Sequence, residues 1–217
     1  MPYDEDAKID VQDASFMARQ PWPNKALSPN ERPLMLHHHP MTLQRRKVLK
    51  QPDTVLSHAL LYNRPLDVMR NSLNYYETIT THDSSLSYCI HALQAARLKD
   101  LDKAYDYFVK TLRLDLDDLN RNTKDGLHLA NAGGVYLALL RGFMGLTIAD
   151  EVSIEPYLPK AMNRLTMTIR ANTTTHVHVD VSRQGVALKS ESNTTLIVYG
   201  KQHVLKAYET LSVPYQD

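Results

Sequence analysis

The sequence predicts an α region followed by a β region, and three observations carry that prediction. Apolar residues recur at helical spacing over about 41–146, then switch to every second position after about Ala149. Seven of the eleven prolines fall at or before Pro52, which marks the start of the chain as mostly extended. At 217 residues the chain has room for one large domain or two small ones, and for a real core.

The elements follow in order. Residues 1–40 read as an extended, Pro-rich loop segment. Over 41–61, Leu43, Val48, Leu49, Val55, Leu56, Ala59 and Leu60 fit a helix kinked or broken at Pro52. Asp83-Ser84-Ser85 is expected to cap the next helix, with Leu86, Cys89, Ile90, Leu93 and Ala96 as its stripe. Asp100 begins another, with Leu101, Ala104, Tyr105, Phe108 and Leu112 on one face. After a polar loop at 115–125, residues 127–143 form an almost wholly apolar helix, expected to be buried on all sides. Short connections imply antiparallel helix pairs. Strands follow at Leu165, Met167 and Ile169, then Val177, Val179 and Val181. Gly185 turns the chain into Val186 and Leu188, and Leu196, Val198 and Gly200 come after. These make a small antiparallel sheet or sandwich.

Composition bounds the function. The 25 Lys and Arg against 24 Asp and Glu leave a net charge of +1, which argues against a nucleic-acid surface covering the molecule. A single cysteine, Cys89, excludes an internal disulfide and a Cys-based zinc site, and its place on an apolar stripe makes it core. The acidic start has no apolar run behind it, so no secretory signal is expected. The most apolar stretch, 135–146, is interrupted by Arg141 and is too short to span a bilayer. A cytoplasmic protein with neither membrane nor nucleic acid as partner is the expectation.

Two helix starts share a chemistry. Thr81-His82-Asp83-Ser84-Ser85-Leu86-Ser87 places hydroxyls at one N-terminus, and Thr123-Lys124-Asp125-Gly126-Leu127-His128 places a glycine and a histidine at another. Unpaired N–H groups and the positive dipole end suit a phosphate or carboxylate there, although Ser and Asp are also ordinary caps. No metal is expected. The adjacent His37, His38 and His39 point in different directions, and His176 and His178 read as exposed strand residues. The stretch Asp115-Leu116-Asp117-Asp118-Leu119-Asn120 lacks the glycine and glutamate of a calcium loop at the right offsets. Lys50-Gln51 reads as a solvated pair within the helical pattern.

Five strings in order resemble one family. They are Lys50-Gln51-Pro52-Asp53, His82-Asp83-Ser84-Ser85-Leu86-Ser87, the run from Leu98-Lys99-Asp100 to Tyr107-Phe108, Asp125-Gly126-Leu127-His128, and Glu155-Pro156-Tyr157-Leu158-Pro159-Lys160. Together they are similar to the C-terminal part of glycoside hydrolase family 65, the maltose, trehalose and kojibiose phosphorylases and their acid trehalase relatives. The resemblance runs from about residue 8 to 207.

The resemblance implies part of an (α/α)6 barrel over 41–149, then a β domain over 150–217. It implies that phosphate attacks an α-linked glucoside with inversion, giving β-glucose 1-phosphate and a free sugar. An inverting hydrolase needs an acid and a base, whereas phosphate is already a nucleophile and one carboxylic acid suffices. By the family pattern Ser84, Ser85, Gly126 and His128 bind phosphate, and Lys50 and Gln51 hold the glucosyl unit. Phosphate is co-substrate, and no metal or organic cofactor is implied.

Two departures stand out. Pro52 takes the place of the usual alanine and disfavours a helical Gln51. The family's general acid glutamate and Trp-Asp motif have no counterpart in 1–40, and Glu31 lacks the surrounding motif. A twelve-helix barrel needs roughly 200 helical residues, and 41–146 offers only about five helices. The expectation is therefore a C-terminal portion of a phosphorylase without its acid. The alternatives are a non-catalytic subunit or remnant docking on a separately encoded N-terminal half, and a hydrolase of the trehalase branch. The family also implies a homodimer for the full-length enzyme.

Overall fold

A computed structural model of the chain describes residues 1–23, 29–61 and 64–216. Two short helices, α1 (Leu34–His37) and α2 (Pro40–Gln44), precede α3 (Asp53–Leu61), α4 (Leu66–Glu77), α5 (Ser87–Arg97), α6 (Leu101–Leu112) and α7 (Leu129–Leu137). The last continues as a π-helical segment over Ala138–Phe143. Helix α5 is the hub, packed against α3, α4, α6, α7 and the π segment. Every residue over 89–96 is buried. Its small side chains allow that crowding: a Cβ placed on Gly142 would meet the Ala96 Cβ at 3.2 Å.

Three helical expectations change. The apolar segment 127–143 is not buried on all sides, since Leu127 and Leu129 are 71% and 79% exposed. It turns Gly134 and Gly142 toward α5, which leaves its larger side chains to project away. Residues 41–61 are not one helix interrupted at Pro52. Leu49 is extended and bridges Thr80 in parallel, with Leu49 N donating to Ile79 O at 2.9 Å and Thr81 N to Leu49 O at 2.8 Å. Pro52 stands just ahead of α3, its carbonyl accepting from Leu56 N at 2.9 Å, and proline steers the preceding Gln51 away from helix. On α6, Asp100 caps as its sequence position suggests, accepting from Lys103 N, but Leu112 is exposed while Ala104, Tyr107, Phe108 and Thr111 are buried.

The N-terminal segment is extended yet held tightly. Strands β1 (Tyr3–Asp4) and β2 (Ile9–Asp10) pair as a hairpin, and β3 (Gln20–Pro21) runs parallel to β4 (Arg46–Lys47). Ile9, Val11 and Phe16 join the core. The buried Asp10 carboxylate takes two bonds from Arg64, each 2.7 Å, and faces His58 Nε2 at 2.7 Å. A buried charge persists where it is paired and hydrogen-bonded.

Gly145, at φ +64, ends the helical region, and a Cβ there would lie 2.4 Å from Glu155 O. The strands start at Thr147, directly after this turn. One four-stranded sheet has the order β11-β10-β6-β5, built from β5 (Thr147–Ile148), β6 (Val152–Ile154), β10 (Thr194–Val198) and β11 (Lys201–Leu205). The other has the order β12-β9-β8-β7, from β7 (Arg164–Arg170), β8 (His176–Ser182), β9 (Gly185–Ser190) and β12 (Thr210–Val213). Pairing is antiparallel except that β6 lies parallel to β10. The register stacks Leu165 on Val181 and Val179 on Leu188, so the apolar faces of β7, β8 and β9 meet the core.

Candidate functional site

The Leu49 bridge joins the two loops that carry the first candidate residues. Lys50, exposed, and Gln51, half-buried, leave that bridge on one side, and His82 to Ser85 leave it on the other. Lys50 and Gln51 therefore lie in a loop rather than in a helix. With Thr81, Asp83 and Leu34 they line a cavity of about 200 Å³. Gln51 Nε2 donates to Asp53 Oδ1 at 3.0 Å, and both residues also border a second, apolar groove of about 410 Å³.

The second groove runs between α5 and α7. Leu86 and Cys89 form one wall, and Ala130, Gly133 and Gly134 the other. Leu86 directly follows Ser85, and Ala130 lies two residues beyond His128. Residues next to both helix starts, with Gln51, thus line this groove, while Ser84, Ser85, Gly126 and His128 are not among its lining residues.

The α5 start is built differently from the expectation. Asp83 does not cap α5; its carboxylate accepts from Leu34 N at 2.9 Å and ties down the segment before α1. Leu86 occupies the cap position without a side-chain bond. The buried Ser84 closes the turn instead, accepting from Leu86 N at 3.3 Å through Oγ and from Ser87 N at 3.1 Å through its carbonyl. Ser85 is half-buried beside it.

His82 organises this loop. Its backbone is left-handed (φ 57), its Nδ1 lies 2.8 Å from Ser87 Oγ, and its ring stacks on Tyr88 at 4.9 Å. His91 and Tyr107 pack against the same ring. Burial, then the charges of His91, Lys110 and Arg32, depress His82 to a pKa of about 3. Burial also takes His91 down to about 4, against the opposing pull of the Ser87 carbonyl and Glu77. Both rings are neutral at pH 7. Sequence reasoning gave neither a role, because the neighbours come from α5 and α6.

At the α7 start, His128 is the cap residue and Gly126, exposed, holds a φ of 124 that suits glycine. Asp115 accepts from His128 N at 2.8 Å and lies 2.5 Å from its Nδ1. His128 Nε2 is 3.3 Å from Asn122 Nδ2. The His128 ring and backbone donors hold the Asp115 carboxyl below the usual carboxylate range. The 115–120 acidic run, set aside as a calcium loop, is in part a clamp on this histidine. His178, on β8, lies on the exposed face with His176, its Nδ1 3.4 Å from Thr168 Oγ1. Cys89 is buried, its thiol pushed up by that burial.

Residues 1–137 match the model of the glycosyl hydrolase family 65 central catalytic domain, and 147–205 match that of the family's C-terminal domain. The chain is 43% identical over its whole length to an α,α-trehalose phosphorylase from Geobacillus stearothermophilus, covering 29% of it. It is 34% identical over 94% of its length to a maltose phosphorylase from Bacillus subtilis (strain 168), covering 28% of that protein. A solved structure described as a candidate kojibiose phosphorylase from the human microbiome superposes with a TM-score of 0.86 at 26% identity, over 99% of this chain and 32% of that one. The chain therefore spans less than a third of the length of these relatives. Among the described residues no helix is long and apolar enough to cross a membrane.

Proposed function

Because the chain belongs to glycosyl hydrolase family 65, we propose that it carries the phosphate side, and part of the glucosyl side, of an inverting disaccharide phosphorylase site. The observation that supports this reading is that Leu86, next to Ser84 and Ser85, and Ala130, two residues beyond His128, line one groove between the two helix starts. Hydroxyls, backbone N–H groups and the positive dipole end at a helix start favour an anion over a neutral ligand. Lys50 and Gln51, which line the neighbouring cavity, hold the glucosyl unit.

In the proposed reaction a phosphate oxygen attacks the anomeric carbon as the glycosidic C–O bond breaks. The leaving sugar oxygen takes its proton from a carboxylic acid, and the products are β-glucose 1-phosphate and the free sugar. These residues position the nucleophile and offset its charge, with phosphate as co-substrate and no metal or organic cofactor. In this reading the acid comes from outside these residues. Without general acid catalysis, normally 10²–10⁴-fold, the chain alone is expected to release no measurable β-glucose 1-phosphate from trehalose, maltose or kojibiose. The same reading divides the chain into the segment 1–40, a barrel part over 41–149 and a β domain over 150–217, and sets the reaction in the cytoplasm.

Calorimetric titration of the chain with inorganic phosphate tests the site. Saturable binding is expected, weakened about tenfold or more by His128→Gln or by Ser84→Ala with Ser85→Ala, since each removes a hydrogen bond to a charged group. Binding that neither variant alters overturns the assignment.

A second reading, a subunit that docks on a separate polypeptide supplying the remaining barrel wall, is favoured by the exposed apolar side chains Leu127, Leu129 and Tyr136. Co-purification with a polypeptide carrying the preceding part of a relative's catalytic domain, together with gain of phosphorolysis, would support it.

A further inference from the structure

We infer that Asp115 is a positioning residue that fixes where the proton sits on His128 and which way the ring faces. The inference rests on the reading that His128 meets phosphate. One carboxylate holds the histidine at two points, the backbone N–H through Oδ2 (2.8 Å) and ring Nδ1 through Oδ1 (2.5 Å). A carboxylate only accepts, so the ring proton belongs on Nδ1 and Nε2 is left as the accepting nitrogen. There Nε2 faces the Asn122 amide at 3.3 Å, while Asn122 Oδ1 is buried without a partner among the described residues.

The surrounding loop is braced in the same manner. Asp118 Oδ1 accepts from Thr123 N at 3.0 Å, and Asp118, Arg121 and Gly126 all carry positive φ. A backbone so contorted needs fixed anchors, and Asp115 anchors it at the residue that matters for the anion. When phosphate binds, Nε2 becomes a donor. Its proton comes from solvent or from the phosphate monoanion, and Asp115 offsets the positive charge that the ring then carries.

The test uses the full 217-residue chain, with side-chain nitrogen–proton correlation spectra of its histidines; the His128 signal is the one absent from His128→Gln. The expected wild-type signature, in the state where the ring carries one proton, is protonated Nδ1 with unprotonated Nε2. Asp115→Asn should transfer part of the population to the Nε2–H form favoured by free imidazole, and weaken inorganic phosphate binding about tenfold. In a His128→Gln background the same change should alter phosphate affinity less than about twofold, because the coupling runs through the ring. Asp115→Ser, which retains a backbone-capping oxygen but no charge, replaces the Asn variant if that one does not fold. A His128 proton still on Nδ1 in the Asp115 variants overturns the inference. A shifted proton in a chain that binds no phosphate supports the clamp and counts against the phosphate reading.

Discussion

Gly134 marks the closest approach of α7 to α5. A Cβ there would lie 2.4 Å from Cys89 Sγ and 2.7 Å from Cys89 Cβ. Gly134→Ala should therefore destabilise the fold by roughly 1–3 kcal/mol, as overpacking does, and push α7 off the groove wall. Cys89→Ala should recover only part of the loss, since it removes Sγ but keeps Cβ. Thermal melts of the three variants check this, and equal stability of Gly134→Ala and wild type would show that the helices are not in this contact. Asp115 and His82 teach a related lesson. Both sit in strings visible in the sequence, yet their tasks depend on partners 13 and 5 residues away whose directions no spacing rule encodes. His128 and Ser85 could be picked out because helix starts have a local grammar. Asp115 could not.

At the scale of elements, α4, α5 and α6 close around two neutral histidines. His91 is fully buried, its Nδ1 3.1 Å from Ser87 O, and Glu77 from α4 is held by Lys103 and Tyr107 of α6. Burial pushes the Glu77 carboxyl up, and the Lys103 and Tyr107 donors outweigh it and bring it down. His82 and His91 are depressed below the ordinary histidine value of 6.5. The unfolded chain therefore binds more protons than the folded one between about pH 6.5 and their folded values of about 3 and 4. Stability should be level above pH 7 and fall as pH drops through 6.5, by at most about 1.4 kcal/mol per pH unit for each ring. Urea midpoints at pH 7.5, 6 and 5 measure the slope, and His91→Gln should flatten it. A slope unchanged in that variant would place the titration elsewhere.

At the scale of the molecule, the helices pack about α5 and leave several large apolar side chains exposed. Leu127, Leu129 and Tyr136 stand 71%, 79% and 54% exposed on or next to the same helix. Sedimentation velocity should show concentration-dependent association of the isolated chain, reduced by Leu129→Glu without loss of the folded signal. A monomer at every concentration would remove the support for a docking partner on this face. In the β region strands β7 and β8 turn their apolar residues inward and their polar ones out.

The sequence by itself determined the α-then-β order and the alternating strands around 165–169, 177–181 and 186–188, since periodicity is local. It also determined the family, because five ordered strings survive in it. Which helix lies at the centre was decided only by tertiary packing. The apolar content of 127–143 suggested that segment, whereas small residues gave the place to α5. The Leu49 bridge, the diversion of Asp83 to Leu34 and the grip of Asp115 on His128 likewise needed the third dimension. Each joins residues whose contact follows from how the elements pack.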